Sequence, residues 1–375
     1  MSQTVLNVMN YGAVGNGKTD DSQAFLKAWK AACQTTPLAP TVLIPARTFL
    51  LKPLTFSGPC KSSRIYFQIM GKIVAPNSKN GWLGRPTNTW VVFYGVNGLS
   101  VSGPGQFDGQ GSIWWSNPCM PNSAQNAANC KAPTAVTYKR CNNLQISGLT
   151  HINPMKNHIQ LTTCNGVTIS NLRINAPETS PNTDGIDIAS STAVKIRNSV
   201  ITTGDDCIAI SGGSSNIDIS GIFCGPGHGI SIGALGHGGY DIVENVNVRN
   251  CTFKGTLTGV RIKTWQGGSG YARKISFNKI NFIAVYNPII IDQFYCPTRT
   301  STVKVSDVSF TSIVGTSNMD QAINLSCSQS VGCTNIVLDR VYISHTTKGR
   351  KIYATCNNAH GKATHTKPAV KCLLP

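Results

Sequence analysis

The sequence predicts an all-β fold: a single-domain, right-handed parallel β-helix with an N-terminal capping helix. Three observations predict it. A short alternating motif recurs as Leu99-Ser-Val101, Leu144-Gln-Ile146, Val167-Thr-Ile169, Val194-Lys-Ile196, Ile217-Asp-Ile219, Val246-Asn-Val248, Ile275-Ser-Phe277, Val303-Lys-Val305 and Ile336-Val-Leu338, in steps of 23 to 33 residues from Leu144 onward. A second series is interleaved with it: Ile159-Gln-Leu161, Ile186-Asp-Ile188, Ile208-Ala-Ile210, Ile230-Ser-Ile232, Val260-Arg-Ile262, Ile289-Ile-Ile291 and Ile323-Asn-Leu325. Gly, Asn and Ser collect between the two series, as turns require. Each motif is a strand with one apolar face. Two or more such strands per repeat describe the coil of a solenoid, whose strands stack ~4.8 Å apart around an apolar interior. A β-sandwich also has many short strands, but it does not call for a sustained repeat with motifs in phase.

The elements follow in order. An open coil end needs a cover, and residues 1–40 offer one. Thr19-Asp20-Asp21 can cap a helix on which Phe25, Ala28, Trp29 and Ala32 form an apolar stripe. The segment Gly103–Lys139 is the one long interruption, and its Trp114 and Trp115 suit either a sugar subsite or packing on the coil. From Leu144 the coils run unbroken. The tail, about 341–375, loses the period and reads as irregular and disulfide-held. No linker or shift of composition divides the 375 residues, so one domain over 1–375 is the economical reading.

Composition narrows the function. No apolar run approaches the ~18 residues that a membrane span needs, so no membrane partner is expected. Fourteen cysteines, including the close pairs Cys327/Cys333 and Cys356/Cys372, favour an oxidising, extracellular setting. No spacing is Cys-x-x-Cys, so zinc is not indicated. No signal-like stretch opens the sequence, which suits a mature secreted chain carrying a start codon. Asn250-Cys-Thr252 and Asn324-Leu-Ser326 are glycosylation acceptors by pattern. The formal charge of +18 suggests a polyanionic partner. Neither zinc-finger spacing nor a basic helix supports nucleic acid, and an acidic polysaccharide fits.

Against 33 Lys plus Arg, the chain carries only 15 Asp plus Glu. Yet Asp184, Asp187, Asp205 and Asp206 crowd together, and Asp184, Asp206 and His228 are spaced 22 residues apart. Each precedes an inward pair by two residues, at Ile186, Ile208 and Ile230, so the three occupy equivalent positions in successive coils. Strict alternation would turn Asp184 and Asp206 inward, so the preceding turn must break the phase. Arg261 and Lys263 flank inward Ile262 and should point outward. Carboxylates packed together resist joint ionisation, and an acid beside a base is what glycosidic hydrolysis uses. An acidic ladder or a calcium site is the alternative on residue chemistry alone.

These residues carry a resemblance. Asn182-Thr-Asp184, Gly204-Asp-Asp206, Gly227-His-Gly229 and Arg261-Ile-Lys263, in this order, resemble the polygalacturonases of glycoside hydrolase family 28. The resemblance extends from Asn7-Val-Met-Asn-Tyr-Gly-Ala13 to the C-terminal cysteines, and Trp265–Ala272 and Pro288–Cys296 resemble the plant branch. It implies a right-handed parallel β-helix that hydrolyses α-1,4-galacturonan in demethylated pectin with inversion, as a secreted cell-wall monomer without metal or organic cofactor. Asp205 would protonate the leaving oxygen, Asp184 and Asp206 would activate water, and His228 would tune the acid. Arg261, Lys263 and Tyr295 would hold the substrate, with Asn182 supporting a subsite. The match to Trp265–Ala272 leans to endo attack, with an exo-acting enzyme, a calcium-dependent pectate lyase and an inactive wall protein as alternatives. A Cys207–Cys224 bridge is expected beside the acids.

Overall fold

The computed structural model describes residues 4–36, 39–82, 88–116, 132–237, 239–295 and 301–375. They form two compact units, Met1–Ile186 and Asp187–Pro375. The boundary falls where neither composition nor period changes, which is why the sequence alone does not mark it.

The first unit is built of parallel ladders. One runs through Val5–Asn7, Thr41–Ile44, Ile65–Ile69, Leu99–Ser102, Asn142–Ser147 and Asn165–Ser170. A second joins Leu54–Ser57, Thr89–Tyr94, Thr134–Lys139 and Ile159–Thr162. A third joins Thr48–Leu50, Lys72–Val74, Gln106–Asp108, Thr150–Ile152 and Arg173–Asn175. The chain thus visits three faces per coil. The helix, Ser22–Gln34, buries Phe25, Ala28, Trp29 and Ala32 as the stripe predicts. Trp29 packs 5.3 Å from Phe56 and donates its indole N–H to the Ser57 carbonyl at 3.0 Å, which stoppers the apolar interior. The capping differs from expectation. The Asp21 carboxylate turns back to accept the Val14 and Gly15 N–H groups, and Asp20 accepts the Ser22 N–H instead.

In the second unit the interior rows hold the expected register. Ile208, Ile230, Val260, Ile289 and Ile323 stack in one row, and Ile210, Ile232, Ile262, Ile291 and Leu325 in the next. All are buried, and each such side chain contributes about 1.5–3 kcal/mol on burial. One register is corrected. Ile275 pairs with Val308, not Val303, which pairs with Gly270. Both triplets alternate apolar and polar, so spacing alone could not separate them.

The corners explain the Asn-rich breaks. Asn143, Ala193, Asn216, Asn245, Lys274, Asp307 and Asn335 adopt left-handed backbone, and so do Gly148, Asn198, Gly221, Asn250, Lys279, Ser312 and Arg340, five residues later in each coil. Asn tolerates this conformation better than other non-glycine residues. The first-series motifs from Val194 on are therefore strands held between two such corners, except Val303-Lys-Val305, whose place Val308-Ser-Phe310 takes.

The tail is also corrected. Tyr353–Asn357 and Ala359–Lys367 continue the parallel ladders on Gln321–Ser326 and Cys333–His345. The last coil pairs backbone on backbone, with Leu374 bridging its outer side at His360, and its side chains are largely polar, so regular pairing leaves no apolar period. Cys356–Cys372 and Cys327–Cys333 are bridged, as is Cys33–Cys60. Among the described residues Cys141, Cys164 and Cys251 are buried thiols.

Candidate active site

The site is built on turns that enter one strand face of the second unit. Asp205 and Asp206 precede Ile208–Ile210, and His228 precedes Ile230–Leu235. The phase break expected at Asp206 is visible. Cys207 and Ile208 are both fully buried, so Cys207 takes an interior position and Asp206 turns to the outer side, towards Ser231, Arg261 and Lys263. Cys207 is held there by the predicted bridge to Cys224, with Cα atoms 6.0 Å apart.

Asp206 is 1% exposed and fully partnered. Its Oδ1 accepts from Ser231 Oγ at 2.8 Å and from the Arg261 guanidinium at 2.9 Å, and its Oδ2 accepts from Lys263 Nζ at 3.0 Å. Arg261 Nε also donates to Ser231 Oγ at 3.0 Å. Arg261 and Lys263 point off the strand as alternation requires, yet both are spent on Asp206 and only slightly exposed. Ser231 was not singled out from the sequence. The signal was there: it lies between inward Ile230 and Ile232 and pairs in register with Arg261.

Asp205 keeps more solvent access. Its Oδ1 lies 3.1 Å from His228 Nδ1 and accepts the Asp206 N–H at 2.8 Å. Burial pushes its carboxyl up, but the hydrogen bond and charge of His228, the Asp206 N–H and the charge of Lys263 outweigh it, leaving the group below its ordinary value. His228 sits between two glycines for a steric reason. Gly229 has φ +81°, and a Cβ there would collide with the Thr258 and Gly259 carbonyls. At Gly227 a Cβ would press on the Asp205 carbonyl and Cys207 Sγ at 3.0 and 3.2 Å.

Tyr295 is exposed beside the cations, with Lys263 Nζ 5.3 Å from its ring centre and Trp265 edge-on at 5.9 Å. The second unit thus brings together Asp205, Asp206, His228, Arg261, Lys263 and Tyr295. Asn182 and Asp184 lie in the last turn of the first unit, where Asp184 is half-buried and its carbonyl accepts the His158 N–H at 2.8 Å. Trp114 and Trp115 pack within that unit, Trp114 edge-on to Trp82 and Trp115 donating to the Pro154 carbonyl. Residues 117–131 of the long interruption lie outside the described residues.

Ligand atoms of Asp205, Asp206 and His228 fall within 4.8 Å of one another, close enough for a cation. Calcium binding needs carboxylate oxygens free to coordinate. Both Asp206 oxygens already face cationic side chains, which would repel one. The arrangement suits acid–base work instead: one carboxylate held by two cations, a second hydrogen-bonded to an imidazole.

The comparisons with known proteins meet this geometry. Residues 33–367 match Glycosyl hydrolases family 28. The chain belongs to that family. It is 48% identical to a probable polygalacturonase of Arabidopsis thaliana, over 99% of this chain and 81% of that protein. It is 45% identical to a polygalacturonase of Malus domestica, over 94% and 76%. The endo-xylogalacturonan hydrolase of Aspergillus tubingensis superposes with a TM-score of 0.79 at 25% identity, over 95% of this chain and 96% of that one. The exopolygalacturonase of Thermotoga maritima, at 21% identity, gives 0.75 over 92% and 89%. These matches make this family 28 chain a glycoside hydrolase with a parallel β-helix fold.

Proposed function

We propose that this family 28 enzyme hydrolyses α-1,4-galacturonosyl linkages of demethylated pectin, inverting the anomeric carbon. The observation that carries the reading is the partnering of the two acids: Asp206 held by Arg261 and Lys263, and Asp205 hydrogen-bonded to His228. Asp205 is the general acid for the leaving oxygen. An arriving polyanion raises its proton affinity, because negative charge nearby favours the neutral carboxyl. Asp206 and Asp184 draw the proton from the attacking water. Inverting enzymes separate acid and base by ~6.5–9.5 Å to admit that water, a spacing that side chains must supply because stacked strands are only ~4.8 Å apart. Arg261, Lys263 and Tyr295 receive a galacturonate carboxylate and ring, and Asn182 supports a neighbouring subsite.

The enzyme acts outside the cell, in the wall, as a monomer without metal, and attacks the chain internally. No helix among the described residues is long and apolar enough to cross a membrane. Asn250 is exposed on a left-handed corner, whereas Asn324 is half-buried and accepts from Thr355. Asn250 is therefore the acceptor that would carry a glycan.

The test is release of reducing ends from polygalacturonate, with and without chelator, alongside viscosity. Hydrolysis that survives the chelator, with an early fall in viscosity, is expected. An unsaturated product that needs calcium would indicate a lyase instead. Monogalacturonate as the sole early product would indicate exo attack. A folded Asp205→Asn variant should lose at least ~10²-fold in kcat, and near-normal turnover would remove Asp205 from the role.

A further inference from the structure

The turn that carries Asp205, Asp206 and His228 recurs in every later coil of the second unit. After His228 the same turn presents Leu257, Tyr286 and Met319, each 44–48% exposed. In the last coil it widens into the loop 346–352, which lines a cleft of about 690 Å³ together with His345 and Lys367. Successive turns are tied by backbone bonds: Asn287 N–H to the Leu257 carbonyl, Asn318 N–H to that of Val285, and Thr346 N–H to that of Ser317. Five ladder spacings of ~4.8 Å put the cleft ~24 Å along the turn column from the Asp205 turn.

The cleft is cationic. Lys348, Lys351 and Lys367 line it and have no ion-pair partner among the described residues. Asp320, beside the cleft, is neutralised by Arg350 through two contacts of 2.6 and 2.9 Å. His345 braces the loop from inside: its Nδ1 accepts the Thr347 N–H at 2.8 Å, and its buried Nε2 stands 3.7 Å from Asp320 Oδ1.

We infer that this column is a distal galacturonan track. Leu257, Tyr286 and Met319 lie against sugar faces, and the Lys348–Lys351–Lys367 cleft takes a galacturonate carboxylate. The track rests on the proposed hydrolysis of galacturonan. It extends the chain that the site holds towards the last coil, so its effect depends on substrate length.

The experiment compares Lys348→Ala/Lys351→Ala and, separately, Tyr286→Ala with wild type on a short oligogalacturonate and on long polygalacturonate. Neither variant touches Asp205, Asp206 or His228. Exposed charges and a single stacking ring predict a KM for the polymer raised about threefold to tenfold with kcat unchanged, and oligomer kinetics within twofold. An unchanged polymer KM, or equal losses on both substrates, overturns the track. Mobility of Asp205→Asn protein in a gel containing polygalacturonate separates this from the catalytic reading. Retardation that the lysine substitutions weaken supports the track even if wild type releases no reducing ends. Retardation that they leave unchanged overturns it.

Discussion

His228 holds Asp205 at two points. Its backbone N–H donates to the Asp205 carbonyl at 2.7 Å, and its Nδ1 lies 3.1 Å from Asp205 Oδ1. The first contact fixes the spacing of two neighbouring turns, and the second sets the imidazole against the carboxylate.

This coupling predicts the behaviour of His228→Gln. The hydrogen bond and charge of His228 lead the causes that hold Asp205 below its ordinary value, and glutamine removes that charge. The basic limb of kcat/KM, which follows the protonated Asp205 carboxyl, should therefore move to higher pH. Stability follows a separate sign. Asp205 is held below its ordinary value when folded, so it contributes stability above that value and loses it as pH falls through the folded one. The deficit in Tm of His228→Gln should therefore be present above the ordinary carboxyl range and shrink as pH falls through the folded value. A basic limb that stays put would show that His228 does not set the protonation of Asp205.

The clamp on Asp206 predicts strong coupling. Asp206→Asn leaves Arg261 and Lys263 facing a neutral amide in a site almost closed to water. Breaking a buried pair from one side costs about 3–5 kcal/mol, so denaturant unfolding should register a loss of that order together with the loss of kcat. Lys263→Met alone should destabilise as well. In the double variant the two effects should fall short of their sum, since they break one interaction. Additive losses would assign Lys263 to substrate alone.

The bridge beside the acids gives a third expectation. Cys207 follows Asp206 directly and is tied to Cys224 across 17 residues. Closing a loop of that length stabilises by about 3 kcal/mol. Cys224→Ser should lower stability by about this amount and reduce kcat as well, because Cys207 sets the turn that aims Asp206 outward. A variant that loses stability but keeps full kcat would show that the turn holds without the bridge.

The periods of the chain made much of this legible. Inward Ile208, Ile230 and Val260 put Asp206, His228 and Arg261 at neighbouring places by period alone. What the period could not carry was the partnering. Whether Lys263 meets Asp206 or solvent depends on reach across two coils, and Asp206 faces outward only because Cys207 takes the inward place. The last coil was missed because its pairing is backbone on backbone, with Thr, His and Lys on strand Ala359–Lys367 where apolar residues would have shown the period. The choice between Val303 and Val308 failed for the opposite reason, since both fit the pattern and only cross-strand register separates them.

The charge balance of the clamp sets the last prediction. Arg261 and Lys263 carry two positive charges against the one negative of Asp206, so the clamp beside exposed Tyr295 keeps a surplus of one, which Asp205 matches when ionised and releases when it is protonated as the acid. That surplus is what a galacturonate carboxylate would meet, as a charge-assisted contact at a site with little water. A methyl ester is neutral and leaves the surplus unmatched. Activity should therefore fall steadily as pectin is esterified, mainly through KM, and raised salt should weaken cutting of the acid form more than of the ester. Lys263→Ala should flatten the dependence on esterification, since it removes the surplus. Initial rates on a series of graded methylation check this. If fully esterified pectin is cut as fast as polygalacturonate, the surplus charge plays no part in recognition and the pair serves Asp206 only.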